Sequence, residues 1–327
     1  MKRILLTLLL FCIIQLGAKA QQDAQYSQYM FNSLVINPAY AGYKEAYNMS
    51  LLNRNQWVGI DKAPKTQSLV ADGSFFKGNK VGLGLTIVND QIGLQSQTSA
   101  YANYAYRLPV GINNARLAFG LAVGLSQYSL NRQNAIIQDP NDPNYNDGKL
   151  NYTAPDAKFG LFFSNDKFYA GLSATNLLSQ AINYQQSGSD VIARQGRHYF
   201  LTSGYLLDLN PTLKFKPSFM IRDDSKGPTN IDLNTFFLIK EALWIGASYR
   251  TGAYFRNNPN VDANAFKQNS LVGAVEFFVA KKFRLGYAYD YALSDLSGYS
   301  SGTHEISLGV ILQSTKSSNA LPTPRYF

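Results

Sequence analysis

The sequence predicts an all-β fold, a transmembrane antiparallel β-barrel of about 14 strands with a short N-terminal periplasmic or plug segment. Three observations carry that prediction. First, apolar residues alternate with small or polar ones along almost every segment, as side chains of an extended chain do when its two faces meet different surroundings. The run F-R-L-G-Y-A-Y-D-Y puts Phe283, Leu285, Tyr287, Tyr289 and Tyr291 on one face and Arg284, Gly286, Ala288 and Asp290 on the other. Ile306, Leu308, Val310 and Leu312 likewise alternate with Glu305, Ser307 and Gly309. No segment reads as a helix able to cover those faces, so lipid outside and a polar lumen inside satisfies them most simply. Second, the connections between strand-like runs alternate long and short, as the outer loops and periplasmic turns of bacterial outer-membrane barrels do. Third, charged residues make up only 16% of the 327 while aromatics reach 13%, with 22 Tyr. Soluble domains carry roughly 25% charge, and Tyr suits an interface where one end of the ring is wet. A mean hydropathy of -0.18 argues against a bundle of membrane helices.

Taken in order, residues 1–20 read as a secretory signal: Lys2 and Arg3, an apolar run from Ile4 to Ile14, and Ala18-Lys19-Ala20 as a small-residue cleavage site. The run is shorter than the ~20 residues that span a bilayer as a helix. The one cysteine, Cys12, lies inside it, which leaves the exported chain without a disulfide, a thiol nucleophile or a cysteine metal ligand. Without Lys2, Arg3 and Lys19 the 30 basic residues become 27 against 21 acidic ones, a net +6. That excess is scattered and forms no run, so it reads as lumen and rim charge and not as a nucleic-acid footprint.

Residues 21–45 form an arm or plug. The stretch Q-D-A-Q-Y-S-Q-Y-M-F-N-S-L-V-I-N-P-A-Y-A-G is polar and aromatic, then apolar, and turns at Asn37-Pro38. It lacks alternation, so a mobile arm, a short helix and a plug all remain open. Its apolar density predicts that it packs on the barrel.

The barrel occupies residues 46–312. Strands are expected over 46–54, 66–73, 80–89, 95–108, 115–127, 156–164, 167–176, 198–208, 212–222, 230–239, 243–250, 270–279, 283–291 and 303–312. Long connections are expected at 55–65, 90–94, 128–155, 177–197, 223–229, 251–269 and 292–302, short ones between. Residues 313–327 are expected to be a periplasmic tail. The longest loop contains D-P-N-D-P-N-Y-N-D-G. It has the composition of a calcium loop but neither the ligand spacing nor the closing Glu, and reads as a turn cluster.

Alternation places Arg54, Arg250, Arg284, Asp290 and Glu305 inward. Arg284 and Asp290, on one face, form either part of a lumen ion-pair network or a surface for a docked or threaded segment. Trp57, in R-N-Q-W-V, is an interface anchor or a partner contact. The two histidines, His198 and His304, begin strands on the loop side and read as interface residues. Glu305 and Ser307 lie close to His304 in sequence but on the opposite face, so no hydrolytic triad is expected there. The G-x-G runs lie inside strands and precede no helix, so no phosphate loop, cofactor or metal site is expected.

Several stretches together resemble one family, the PorP/SprF membrane proteins of the type IX secretion system in Bacteroidetes. They are the arm from Gln22 to Gly42, R-N-Q-W-V-G-I from Arg54, A-P-K-T-Q from Ala63, V-G-L-G-L from Val81, R-H-Y-F-L-T-S-G-Y from Arg197, L-K-F-K-P-S-F from Leu213, L-W-I-G-A-S-Y-R-T-G from Leu243, G-Y-A-Y-D-Y-A-L-S-D-L from Gly286, G-T-H-E-I-S-L from Gly302 and the closing P-R-Y-F. The resemblance implies an integral outer-membrane barrel that serves the secretion machine beside its periplasmic ring, or the display of surface adhesins, including gliding adhesins. The partners it implies are the C-terminal region of a secreted surface protein, ring components and outer-membrane lipid, with no nucleic acid and no enzymatic step. The residues expected to touch a partner are Tyr26, Tyr29, Phe31, Asn37, Pro38, Tyr40, Arg54, Trp57, Arg284 and Asp290. A plugged channel or hydrophobic-solute transporter is the competing function.

Overall fold

The structure, a computed structural model, describes residues 25–76, 78–111, 114–131, 148–178, 196–224, 229–253, 269–280 and 282–312. The expected signal at 1–20, the tail at 313–327 and the D-P-N-D-P-N cluster at 139–147 lie outside them. The described chain folds into β1 (Tyr47–Asn55), β2 (Lys65–Phe75), β3 (Val81–Ile92), β4 (Gln95–Pro109), β5 (Arg116–Asn131), β6 (Lys149–Ser164), β7 (Phe168–Thr175), β8 (His198–Tyr205), β9 (Leu207–Asn210), β10 (Leu213–Asp223), β11 (Thr229–Ile239), β12 (Leu243–Ala253), β13 (Ser270–Val279), β14 (Phe283–Ala292) and β15 (Thr303–Leu312). Each strand pairs antiparallel with its successor, except that β8 and β9 both pair with β10, and β15 pairs with β1, which closes the sheet. Segments β8 and β9 both pair with β10 and are one crossing interrupted at Leu206, so the barrel has fourteen crossings.

The pleat sorts the side chains. Leu51, Leu308 and Leu285 stand directly opposite one another on β1, β15 and β14, and all three are exposed on the outer face. They belong to a belt of Leu, Ile, Val and Phe, with Tyr47, Tyr106, Tyr205, Tyr249 and Tyr291 also outward. An apolar band of this kind is what a lipid-facing barrel wall requires. The inward face is polar. Arg54, Arg250, Arg284, Asp290 and Glu305 are all buried, as the alternation predicts.

Three expectations need correction. The connection at 90–94, expected long, is a two-residue turn at 93–94, because β3 runs on to Ile92 and β4 starts at Gln95. Gly93, at φ 60, supplies the left-handed residue that such a tight turn needs. Strand β6 begins at Lys149 and not at 156; Pro155 reads as a breaker, but β7 pairs with β6 only over Phe159–Ser164, and an unpaired edge tolerates Pro. His198 turns inward and is buried, with its ring stacked near Phe200 at 6.3 Å, and is no interface residue. His198 and Phe200 are two positions apart and share the inner face.

Candidate functional site

The lumen is filled by residues 25–43 of the chain itself. Sequence explains the local form of this arm. The Asn37 side chain accepts from Ala39 N at 2.9 Å, and Pro38 occupies the first turn position, so Pro38–Tyr40 closes as a single 3-10 turn. Two more such turns, Tyr29–Phe31 and Ser33–Val35, precede it. Backbone bonds of the arm close within the arm, as in Asn37 N to Ser33 O at 3.0 Å and Tyr43 N to Tyr40 O at 3.0 Å. Hydrogen bonds between arm and wall run through side chains.

The arm runs from the end of the barrel that carries the long loops to the end that carries the short turns. At the loop end, Glu305 accepts from the backbone N–H groups of Ser27 at 2.9 Å and Gln28 at 2.7 Å. Arg54 stands opposite Glu305 in the β1–β15 register and donates to it at 3.0 Å, to Asp290 at 3.2 Å and to Ser27 Oγ at 2.6 Å. Arg250 bridges Asp290 at 3.1 Å and Asp232, its register partner on β11, at 3.0 Å. Two guanidinium groups thus share one carboxylate, and each has a second of its own. The three carboxylates face two guanidinium groups, and the Ser27 and Gln28 N–H groups on Glu305 supply the further donors that make the buried charge tolerable.

Lower down, Arg284 pairs with Glu276 at 3.6 Å and donates to Asn48 Oδ1 at 2.7 Å. The Lys158 ammonium donates to Val35 O at 3.1 Å, and Ser173 Oγ donates to Ile36 O at 2.7 Å. Asp72 accepts from Gly42 N at 2.9 Å, and Arg107 donates to Gly42 O at 2.7 Å. Gly42, at φ 69, makes the bend by which the chain leaves the lumen toward β1.

Aromatic packing fixes the arm laterally. Phe31 meets Phe236 edge-on at 5.9 Å and lies 6.4 Å from Trp244, with the Lys216 ammonium 4.7 Å above the Trp244 ring. Tyr40, Tyr43 and Phe162 form a triangle with sides of 4.9, 5.3 and 5.4 Å. Such pairs contribute about 0.5–1.5 kcal/mol each beyond simple burial.

A belt of small residues receives the lower arm. Ser74, Gly82, Ala105, Gly120, Gly160 and Ser173 stand directly opposite one another on β2 to β7 and are all buried. A methyl group at Gly82 would overlap the Ala41 carbonyl, one at Gly120 the Ala39 backbone, and one at Gly160 the Asn37 side chain. The backbone of residues 38–42 therefore lies flat on the wall, nearer than any residue with a Cβ would allow.

Nine of the ten residues expected to touch a partner meet in this lumen. Tyr26, Tyr29, Phe31, Asn37, Pro38 and Tyr40 are buried on the arm, and Arg54, Arg284 and Asp290 on the wall. Arg284 and Asp290 share the inner face but serve different carboxylate–guanidinium groups. Trp57 stands apart, half-exposed on the loop after β1, with its backbone N–H donating to Thr303 Oγ1 at 3.2 Å. Its φ of 49 is unusual for a bulky residue and turns the loop so that Val58 exchanges bonds with Gly302 and Ser301 at 2.9 and 2.7 Å. Glu276, Asp232, Asp72, Arg107, Lys158 and Lys216 were not singled out from sequence; each sits at an inward position of its strand, and that alternation was the available signal. Glu305 and Ser307 bond the arm, Ser307 Oγ to Gln28 Oε1 at 2.8 Å, whereas His304 meets Tyr287 Oη at 2.8 Å on the outside. The three do not converge.

The family described as type IX secretion system membrane protein PorP/SprF matches residues 18–310 of this chain. No curated protein matches it. Among solved structures, a Pseudomonas aeruginosa FadL homologue is similar at 9% identity, covering 91% of this chain and 96% of its own, with a TM-score of 0.46. The Acinetobacter baumannii outer membrane protein Omp33 is 13% identical, with 83% and 100% covered and a TM-score of 0.43. BamA from Haemophilus ducreyi lacking POTRA domains 1–3 is 9% identical, with 82% and 70% covered and a TM-score of 0.41.

Proposed function

The chain belongs to the PorP/SprF family of type IX secretion system membrane proteins, and from that premise we propose that it works as a plugged docking barrel, holding a secreted surface protein without passing it. Family and fold make it an outer-membrane β-barrel of type IX secretion. The finer reading assigns the outer loops to the C-terminal region of a secreted protein or adhesin, and the short-turn end to components of the periplasmic ring. The role is one of binding, with no chemical step. The observation that carries it is the filled lumen. Residues 25–43 are bonded to charged groups of the wall at both ends and packed on its glycines between them. A second polypeptide has no path through the barrel while the arm is seated. Export ahead of outer-membrane assembly, with cleavage near Ala20, belongs to the same proposal.

A clean deletion strain tests this, its surface proteome read beside the parent's together with uptake of small solutes. The expected outcome is loss of one or a few surface-displayed proteins with unchanged uptake. Collapse of solute uptake with an intact surface proteome would replace the docking role with a transport role.

A further inference from the structure

We propose that the lumen is a peptide-binding site, specific for an uncharged, aromatic-rich polypeptide segment, and that residues 25–43 occupy it as an exchangeable ligand entering from the short-turn end. Four observations carry this.

The first is how the wall reads the arm. Glu305, Lys158, Ser173, Asp72 and Arg107 bond to backbone N–H and C=O groups of Ser27, Gln28, Val35, Ile36 and Gly42. Contacts of that kind recognise a main chain, as peptide receptors do. The wall's shape then adds selectivity: Gly82 and Gly120 accept only close-lying backbone, Gly160 accepts the Asn37 side chain, and the Phe31 and Tyr40 sites accept rings.

The second is that the arm contributes no strand to the sheet. Its backbone–backbone bonds are its own turns, so it can leave without breaking a ladder bond of the barrel. The wall closes around it through β15 and β1 alone.

The third is charge. Residues 25–43 contain no Asp, Glu, Lys or Arg. The wall around them is dense in charge, and its largest groups are paired with one another: Arg54 with Asp290 and Glu305, Arg250 with Asp232, Arg284 with Glu276; Arg107 pairs with Glu45, just beyond the neutral segment. Departure of a neutral segment leaves those pairs intact, whereas removing a charged plug would strand buried charge.

The fourth is that the fit leaves polar groups unspent. The Tyr40 hydroxyl is buried without a hydrogen-bond partner among the described residues, and so are the Nε groups of Arg54 and Arg284. Arg284 borders a small void lined with Gln28, Phe31, Asn32, Glu276 and Ser307. A segment that existed only to complete a core would be expected to satisfy these groups.

The test uses the full chain with a site-specific protease sequence inserted between Glu45 and Ala46, folded and then cut. A fluorescent synthetic peptide of residues 25–43, the neutral segment, is added to the cut barrel. The expected result is release of the cut arm and saturable uptake of the labelled peptide. Unlabelled peptide should compete, and a scrambled peptide of the same composition should not. Glu305→Gln should speed release about tenfold. An arm that stays in place for days, a barrel that loses its arm and takes up no peptide, or equal uptake of the scrambled peptide each overturns the proposal. Hydrogen exchange on the uncut natural chain supplies a reading that needs no insertion. The amides of Ser27, Gln28 and Gly42 should exchange through an opening that leaves β5 and β6 protected. Exchange of arm and strands together in one global opening would make the arm a permanent core. Neither measurement involves a secreted partner, so the docking role and this site stand or fall separately.

Discussion

At the scale of single residues, the glycines of the belt decide whether the arm can seat. Gly120 faces inward opposite Gly160, and a side chain there meets the Ala39 backbone, which has no room to move outward through the wall. Gly120→Val should therefore expel residues 36–42 while leaving β5 intact, because Val is itself favourable in a strand. Limited proteolysis should show new cleavage near Tyr40 with no loss of heat-modifiable barrel. Gly273→Val is the control, since Gly273 faces outward with nothing near its missing side chain; equal arm protection in both variants would remove the belt from the account. Glu305 is the other decisive residue. Its two oxygens serve Ser27, Gln28 and Arg54, so Glu305→Gln removes a charge that two amides and a guanidinium share. Hydrogen bonds to charged groups contribute about 1.5–3 kcal/mol, and the expected cost lies in that range, read as a lowered midpoint of thermal unfolding of the arm. The sequence showed that Arg54, Arg284, Asp290 and Glu305 point inward, because period-2 alternation depends only on local chain geometry. It did not show what they bond: Ser27 and Glu305 are 278 positions apart, and nothing local encodes such a meeting.

At the scale of the element, the strand is the legible unit and the arm the illegible one. All fourteen expected strands are present, because each carries its own alternation where it crosses the apolar band. Errors gather at the outer ends, where β3, β5 and β6 extend past the apolar band and their polar residues resemble loop sequence. The arm resists such reading because its surroundings are the inner faces of many strands; its apolar residues are spaced by that enclosure and by no helical or strand period. The facing of a strand is directly testable. Leu308 is 53% exposed on the outer face and lies between Leu51 and Leu285, toward the middle of the band, whereas Glu305 on the same strand is 0% exposed. Leu308→Arg should cost about 2–4 kcal/mol, the penalty for a cation at mid-membrane depth on a lipid-facing wall. Leu308→Val should be tolerated. Assembly yield, read as the heat-modifiable fraction, separates the two, and equal yields would mean that β15 presents its other face to lipid.

At the scale of the whole molecule, a barrel of fourteen strands is wide enough to require something inside it. Barrels of about eight strands fill their interiors with wall side chains, while those of sixteen to eighteen leave a water channel. This one lies between, and its inner wall is lined with Gly, Ala and Ser along the belt, which widens the space further. The arm occupies that space with Tyr29, Phe31, Leu34, Val35, Ile36, Tyr40 and Tyr43, all buried. The usual arrangement of a soluble protein is inverted: lipid solvates the outside, and the arm gives the molecule an aromatic core where a pore would otherwise run. Electrical behaviour follows from that inversion. The natural chain in a planar bilayer should show no steady ionic current, since Glu305 and Arg54 clasp the arm at one end, Asp72 and Arg107 at the other, and Phe31, Tyr40 and Phe162 block the middle. Gly120→Val, which unseats the lower arm and leaves the upper clasp, should add flickering openings, and the chain cut after Glu45 and washed free of its arm should conduct steadily. A large steady current from the natural chain would mean that the arm does not seal the lumen, and the molecule would then have to be understood as a channel and not as a docking barrel.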